Sequence, residues 1–507
     1  MLFTEDIWKE FADKIISSGN KLKTYKQFDH LFDFTKSGHQ IKNLIKDPTL
    51  KKVATHSFVP HLKILTKTPR YKFDSEIDGY DLETKIRPIS FSSHFDSYIY
   101  SFYAFALTKK YQEFINYHHF NPCVLAYRSD LNGDCNIQFA KRAFDSVKEM
   151  IGKHEKCHAI ALDITGYFDN IDHSLLKEKW CKVIGLPQLP IDQYSVYKSL
   201  TQYSYVSKAS ILTHFKVDLA KHGPWKTLLD LIPDSINGTS YNEKFQLIRK
   251  RKLIVRNKPK VDENGAVSNR GIPQGSPMSS VLSNIYLIDF DKWLYELSQK
   301  LGFHYFRYCD DLLIVCKAED TKNLNETIVN EIKGKYKLTI QAKKTELIEF
   351  RPNSKGAIRS FNIKTSVKKP ISAVEEQKLY KNLQYLGFEF NGENIYIRPG
   401  SLSRYFRKAK GRISKTVMMA YGKRSKKDKI STKQLYFRYS HFGERNFITY
   451  AQNAARKEYT SSVGITREGM DSPSIRRQLS AHFGIIEQVL KNKSYQFAMS
   501  KSKTLKK

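Results

Sequence analysis

The chain has 507 residues, 40% of them hydrophobic and 13% aromatic, enough to bury a large core in two to four domains or subdomains and too much for a disordered chain. A net charge of +34 and a pI near 9.6 make the chain self-repelling until a polyanion neutralises it, so nucleic acid is the expected partner. No run approaches the ~20 apolar residues of a membrane span, residues 1–10 carry Glu5, Asp6 and Glu10 rather than a secretory leader, and Cys123, Cys135, Cys157, Cys181, Cys309 and Cys316 form no Cys-x-x-Cys pair, which disfavours a zinc ribbon or disulfide framework and fits a reducing cytoplasm.

Residues 1–65 read as a helical extension, with Ile7, Phe11, Ile15 and Ile16 at helical spacing, that packs on the main body or on a partner. From Lys67 to Arg87 the chain is basic and turn-rich. Asp78-Gly79 between two strand-like runs predicts a hairpin, and Lys67, Arg70, Lys72, Lys85 and Arg87 suit either a phosphate chain or a solvated surface. An aromatic helix over 94–120 puts Ile99, Phe102, Tyr103, Leu107, Tyr111 and Phe114 in the core. Residues 121–128 form a loop in which Arg128 is a nucleic-acid ligand or a structural clamp. A second helix covers 136–152.

His158 to Leu162 lead an apolar strand into Asp163, so a carboxylate ends a buried strand. Gly166 lets the backbone turn, and Asp172 caps a helix starting near His173; Asp169 and Asp172 are read as structural. Residues 185–270 read as a helical insertion ending in strands. Its cations Arg249, Lys250, Arg251, Lys252, Arg256, Lys258 and Lys260 fit a solvated face and a nucleic-acid surface equally. Gly271-Ile272-Pro273-Gln274-Gly275-Ser276-Pro277 opens a helix whose buried face is Met278, Val281, Leu282, Ile285 and Ile288. Gly275 and Ser276 at its entrance leave room for a planar or anionic ligand.

In Phe306 to Val315 two β-prone runs flank Asp310-Asp311, which predicts a hairpin turning over Tyr308–Asp311. Adjacent carboxylates at one tip repel each other and bury poorly unless a divalent cation sits against them. Alone, the pair could be an acidic turn. With Asp163 on a neighbouring strand it makes a three-carboxylate cluster, the donor set that two Mg²⁺ ions need for phosphoryl transfer. A helix over 323–335, a strand, the run Lys343-Lys344-Thr345-Glu346 and a short strand or turn over 385–390 follow. From about residue 400, Arg404, Arg407, Lys408, Lys410, Arg412, Lys415, Lys423, Arg424, Lys426, Lys427 and Lys429 crowd a helix and the loop after it. Two more helices are expected. The last starts at Ser472-Pro473, turns Ile475, Leu479, Phe483 and Leu490 inward and frays into a lysine-rich tail after Lys491.

Taken in order, Asp163-Ile164-Thr165-Gly166-Tyr167-Phe168, Pro273-Gln274-Gly275-Ser276-Pro277, Tyr308-Cys309-Asp310-Asp311, Lys344-Thr345, Leu386-Gly387-Phe388 and Lys85-Ile86-Arg87-Pro88-Ile89 resemble the motifs of reverse transcriptases across residues 66–395. The resemblance implies an α+β right-hand polymerase. Residues 1–65 would be an N-terminal extension, 66–395 fingers and a palm built on an antiparallel sheet, and 396–507 a basic helical thumb or C-terminal domain. It implies that Asp163, Asp310 and Asp311, with the Ile164 carbonyl, ligate two Mg²⁺ (Mn²⁺ substituting). Phe168 would lie under the sugar and reject a ribose 2′-OH. Gly166, Tyr167 and Gln274 would line the nucleotide pocket, and Arg87 and Lys72 would pair with the triphosphate. Lys344 would donate a proton to the departing pyrophosphate or contact phosphate. Tyr308, Cys309, Leu386, Gly387, Arg128, Arg404, Arg407 and Lys408 would touch primer or template.

Asp169-Asn170-Ile171-Asp172-His173 and the Pro-Gln-Gly-Ser-Pro run are similar to bacterial enzymes of the group II intron and retron type. The chain has no Val-Thr-Gly triplet, no Asn-Ala-x-x-His, no carboxyl-terminal His/Cys cluster and no evident ribonuclease H domain. Its long insertion and basic tail look more like the defence-associated, abortive-infection-related group. That resemblance implies a cytoplasmic bacterial enzyme working with a dedicated non-coding RNA, dNTPs and its nascent cDNA, and with no membrane. Synthesis would start from an RNA 3′ end or a protein hydroxyl, for which the thirty tyrosines identify no site. A homo-oligomer through either extension is compatible with it. A retron or mobile-element polymerase, and a non-catalytic RNA-binding protein on a polymerase scaffold, are the two other readings.

Overall fold

A computed structural model of the chain describes residues 2–19, 22–74, 79–219, 227–232, 241–261, 265, 267–363, 372–421, 430–461 and 464–505. Helices and mostly antiparallel strands are interspersed in an α+β architecture. At the centre lie five antiparallel strands in the order Ile358–Asn362, Glu346–Pro352, Cys157–Asp163, Asp311–Lys317, His304–Tyr308. The inner strands are nearly continuous apolar runs because both faces of the sheet are covered. Their two-residue alternation sorts the side chains. Ile160, Leu162, Leu312, Ile314 and Cys316 enter one core, and Ala159, Leu313, Val315, Ile348 and Phe350 enter the other.

The first core is closed by helices His94–Tyr117, His173–Ile184, Pro277–Tyr286, Ile288–Leu301 and Thr321–Tyr336. Helices Glu5–Ser17 and Phe34–Ile45 add Trp8, Phe11, Phe34 and Ile41, with Phe11 edge-on to Phe102 at 5.5 Å, so the N-terminal extension packs on the body. The helix expected from Met278 to Ile288 is broken at Leu287, after which Ile288–Leu301 begins. The second core takes helix Asn136–His154, whose Phe144 stacks on Phe390 at 5.1 Å.

Beside these stands a four-stranded sheet ordered Gly79–Phe91, His61–Asp74, Ser204–Ser207, Ile254–Arg256. The long antiparallel ribbon predicted over 67–87 is its first pair, with Asp74 opposite Gly79; Asp78 lies outside the described residues. The 185–270 segment differs from expectation. It is not a detached insertion, because Ser204–Ser207 pairs in parallel with His61–Lys63 and bonds Ile254–Arg256 on its other side. Phe28, Leu62, Val206, Ile211, Leu228 and Ile248 bury a third core beneath it, and this shared core explains the weave.

Strands Leu383–Tyr385, Phe388–Phe390 and Ile395–Ile397 form a small antiparallel sheet leading into helix Pro399–Tyr421. Tyr405, Ala409, Ile413, Val417 and Ala420 make its buried stripe, leaving Arg404, Arg407 and Lys408 exposed. Four described helices follow where two were expected: Lys433–Tyr439, Phe447–Ala455, Pro473–Leu479 and His482–Leu505. The last two read as one helix in sequence, and Ile486 rather than Phe483 or Leu490 is fully buried. The tail expected to fray after Lys491 is helical as far as Leu505. The strand expected before Lys343 is a single bridge, Ile340 to Ile164. Lys423, Arg424, Lys426, Lys427 and Lys429 lie outside the described residues. No helix among the described residues is long and apolar enough to cross a membrane.

Candidate active site

The hairpin of His304–Tyr308 and Asp311–Lys317 turns where the sequence predicts, with Tyr308 opposite Asp311. Its tip carries a backbone that most residues avoid: Cys309 has φ +59°. A non-glycine residue there costs about 1–2 kcal/mol. A buried charge holds it. Arg307, wholly buried, pairs with wholly buried Asp291 through Nη2–Oδ2 at 2.5 Å and Nε–Oδ1 at 2.7 Å. Its Nη1 donates to the Cys309 carbonyl at 3.1 Å and to Asn284 Oδ1 at 3.2 Å. Tyr305 donates to Asp291 Oδ1, Asn284 Nδ2 donates to the Ala126 carbonyl, and Leu125 N–H donates to the Arg307 carbonyl. Burial pulls the guanidinium down, but Asp291 more than offsets it, so Arg307 is held above its usual value and stays charged. Sequence reasoning missed this pair. The signal was present in an arginine at an inward position of an otherwise apolar strand.

Asp163 ends its strand directly opposite Asp311 in the ladder, with Asp310 one residue away. Ile164 N–H donates to the Asp310 carbonyl at 3.1 Å, Thr165 N–H to Thr339, and Gln341 N–H to the Asp163 carbonyl, so backbone bonds join the three segments. The carboxylates feel one another. Burial, followed by the charge of Asp163, raises Asp310 above the usual carboxylate range. Although Asp311 counts among the exposed residues, its carboxyl group is crowded; burial, then Asp310 and Asp163, push it up to about 7. Three cations oppose these rises: Lys85 at Asp310, and Lys344 and Arg398 at Asp311. Lys344 Nζ itself sits 2.5 Å from Asp163 Oδ2. Among the described residues no three acidic, histidine or cysteine side chains converge on one ion position as they stand. The donor set nevertheless fits a hard divalent cation: three carboxylate groups at one end of the central strands, two of them held back from ionising by their own crowding. The sequence marks Lys85 as a ribbon cation suited to phosphate but not as a neighbour of Asp310, whereas nothing around Arg398 singles it out.

A chain of backbone bonds places the remaining pocket residues nearby. Gly166 takes φ +53°, Phe168 follows it half-buried, and the Phe168 carbonyl accepts from Ile272 N–H at 2.9 Å. Two residues on, the Gln274 carbonyl accepts from Ser90 N–H at 2.8 Å, which ties this loop to the strand carrying Arg87. Tyr167 departs from the expected pocket role: it is buried and donates to the Ser283 carbonyl at 2.5 Å. Gly275 is used differently too. At φ +116° an added Cβ would stand 2.9 Å from Ile89 Cγ2 and 3.0 Å from the Ser90 carbonyl, so its missing side chain admits the protein's own strand rather than a ligand. Ser276 caps the helix from Pro277.

The expected primer and template residues divide. Leu386 and Gly387, at φ +47° and +93°, form the turn between two short strands, with Tyr385 and Arg398 both feeling Asp311. Tyr308 is half-buried at the tip. Cys309 is buried, its thiol pushed up to about 12 by burial and Asp310, so its side chain does not present itself to a strand. Arg128 acts as a clamp: its side chain is 3% exposed, it pairs with Asp130 at 2.6 Å, and it donates to the Asn121 and Val124 carbonyls, so four of its five N–H groups are engaged within its own loop. Asp172 caps its helix as expected and pairs with Lys337. Arg407 reaches from helix Pro399–Tyr421 to the Pro69 carbonyl at 3.3 Å, bridging to the long ribbon, while Arg404 and Lys408 stay exposed. The side chain of Lys72 lies outside the described residues.

Residues 232–390 match the family model described as reverse transcriptase (RNA-dependent DNA polymerase). The match takes in the hairpin and the 271–277 loop but not Asp163, which the sheet brings to them. A search of curated proteins found no match. Among solved structures the chain is similar to telomerase from Candida albicans in complex with a fragment of telomeric RNA, at 13% identity and TM-score 0.34, covering 83% of this chain and 57% of that one. It is also similar to apo telomerase from Candida tropicalis, at 10% identity and TM-score 0.35, covering 94% of this chain and 66% of that one. The chain thus spans less than two thirds of those telomerases, and likeness of this degree bears on neither substrate nor partner.

Two outcomes follow from this geometry. Arg307→Met, which strands a buried carboxylate, is expected to destabilise the protein by about 3–5 kcal/mol. Arg307→Met/Asp291→Leu regains most of that loss in a denaturant titration, yet amide exchange at 308–311 stays faster than in the parent because the Cys309 carbonyl has lost its donor. The second concerns pH. Asp311 is raised from 3.8 to about 7, so its contribution to folding is full below pH 4 and is lost as pH rises through 7. In EDTA, Asp311→Asn should melt higher than the parent at pH 8, and the gap should close as pH falls towards 4.

Proposed function

We propose that this chain, which carries a reverse transcriptase domain, is an RNA-directed DNA polymerase that works by two-metal nucleotidyl transfer. The observation that carries the reading is the ladder register that sets Asp163 opposite Asp311 with Asp310 beside them. In this reading the five-stranded sheet is the palm, the four-stranded sheet with its long ribbon is the fingers, and the helices from Pro399 onward are a basic thumb.

Asp163, Asp310, Asp311 and the Ile164 carbonyl would hold two Mg²⁺, or Mn²⁺ in their place, which when bound lower the pKa of the primer 3′-hydroxyl and offset charge on the triphosphate. The protein's own residues do the positioning. Phe168 sets an aromatic edge where a ribose 2′-OH would lie, which excludes ribonucleotides by volume. Gln274, fixed through its carbonyl to Ser90, lines the base side of the pocket. Arg87, with Lys72 and Lys85 on strands of the same ribbon, would pair with the triphosphate. Lys344, half-exposed beside Asp163, would serve the departing pyrophosphate as proton donor or as a phosphate contact. The Leu386-Gly387 turn and the cations Arg404, Arg407 and Lys408 are assigned to the primer–template duplex, whose phosphates they would neutralise.

The finer reading is an antiphage reverse transcriptase that copies a dedicated non-coding RNA in a bacterial cytoplasm. Its support is the motif wording, the long 185–270 segment and the basic tail.

The test uses purified full-length protein with its copurifying RNA, dNTPs and Mg²⁺. DNA should form in the parent and fall at least a thousandfold with Asp310→Ala, and Phe168→Ala should admit rNTPs. No DNA from the parent, or undiminished synthesis by Asp310→Ala, contradicts the polymerase reading. Sequencing the product should return one structured RNA rather than an intron with splice sites.

A further inference from the structure

Two large clefts lie outside the carboxylate site, and their charges differ in kind. The cleft between helix Asn136–His154 and the paired strands Glu458–Thr460 and Thr466–Glu468 has a volume of about 700 Å³ and is lined by both signs. Lys141 pairs there with Asp145 and Glu468, Arg142 with Asp134, and Arg467 donates to the Asn132 carbonyl, so its cations are already engaged by the protein.

The second cleft, about 890 Å³, opens between helices His173–Ile184 and Ile191–Thr201 and strand Ile254–Arg256. Lys177, Lys198, Arg256 and Lys258 line it, and none of its described lining residues is acidic. The rest of the wall is mostly hydroxyl and amide side chains, with Tyr194, Tyr197, two histidines, His56 and His173, and a small apolar part of Ala54, Phe58 and Pro259. Tyr194 is 41% exposed, unusual for a tyrosine on a helix whose neighbours Val196, Tyr197 and Leu200 are buried. Tyr197 lies beneath it, rings nearly parallel at 6.0 Å and 19°, and its hydroxyl is fixed to the His173 carbonyl at 2.8 Å. Lys177 and Lys198 stand 5.1 Å and 5.8 Å from the Tyr194 centroid. An exposed ring on a rigid base, with cations on three separate elements and no acidic side chain among the described lining residues, is what single strands use: bases stack on aromatics while cations follow the backbone.

The cleft shares no residue with the carboxylate site. Its floor is nevertheless tied to that site, since Asn269 lines it and His173 Nε2 hydrogen-bonds the Gly271 carbonyl, at the start of the loop that carries Gln274.

We propose that this cleft is a second nucleic-acid site that holds a single-stranded polynucleotide, with a base stacked on Tyr194 and phosphates on Lys177, Lys198 and Arg256. The proposal rests on the polymerase reading for its biological sense, because a polymerase has single strands to hold outside its catalytic cleft: unpaired template or scaffold RNA, or released cDNA. A small nucleotide alone would leave most of these cations unused.

The test is fluorescence anisotropy of labelled unstructured 20-mers, one RNA and one DNA, on full-length protein whose catalytic cleft is saturated with an unlabelled RNA–DNA primer–template duplex. DNA synthesis on that duplex is recorded in parallel. The parent should bind a 20-mer under these conditions. Tyr194→Ala should weaken that binding about fivefold or more. Lys177→Ala/Lys198→Ala should lower the slope of log affinity against log salt by about 1.4, the value for two phosphate contacts on a single strand. All three replaced residues are at least partly exposed, so folding and synthesis on the short duplex should be unchanged. Preference for the RNA 20-mer identifies template or scaffold as the occupant, and preference for DNA identifies the product strand. DNA synthesis by the parent with no residual 20-mer binding, or with binding that both variants leave intact, overturns this site and leaves the polymerase reading standing. Absence of DNA synthesis on the duplex counts against the polymerase reading instead.

Discussion

The buried pair of Arg307 and Asp291 is the constraint on which the rest of the structure depends. Removing two charges from water costs several kcal/mol each, and only close geometry with further hydrogen bonds offsets that. Both are supplied here, by two contacts between the ions and by Tyr305, Asn284 and the Cys309 carbonyl. The network joins the edge strand to helices Pro277–Tyr286 and Ile288–Leu301 and to the 124–126 loop. Because its last bond falls on the strained residue of the turn, the energy that orders the core also fixes where Asp310 and Asp311 point.

Those carboxylates sit in an otherwise basic molecule. Lys85 on the long ribbon, Lys344, and Arg398 just before helix Pro399–Tyr421 oppose the charge of the acidic cluster. A polyanion is drawn to the cations, while the carboxylates repel it until a cation is placed between them. In the proposed polymerase that division of sign would separate holding a strand from reacting at its end. Crowding also explains why two of the three acids resist ionising, and why Lys344 lies on the third.

What could be read from sequence follows from what is local. Alternation in His158–Asp163 and Phe306–Val315 encodes which faces are buried, so both strands, the hairpin and its turn were legible, as was the Asp172 cap. The pairing of Asp163 with Asp311 depends on strands about 150 residues apart, and the resemblance to known motifs supplied it. Properties of neighbours were not legible. Gly275 looked like a ligand's glycine but makes room for Ser90, Tyr167 and Cys309 turned inward, and Arg128 spends most of its donors on its own loop. Ser204–Ser207 is too short and too polar to announce a sheet position that is set by a shared core. The lysine-rich end reads as solvated until its helix is seen running to Leu505.

The central claim is that residues from two distant strands form one cation-binding unit. Calorimetric titration of Mn²⁺ into the full-length protein with an RNA–DNA primer–template bound tests it most directly. The account predicts saturable binding in the parent, and near-complete loss in Asp163→Asn alone and in Asp311→Asn alone, with little further loss when both are replaced. Equal Mn²⁺ binding by the parent and the double variant would contradict it.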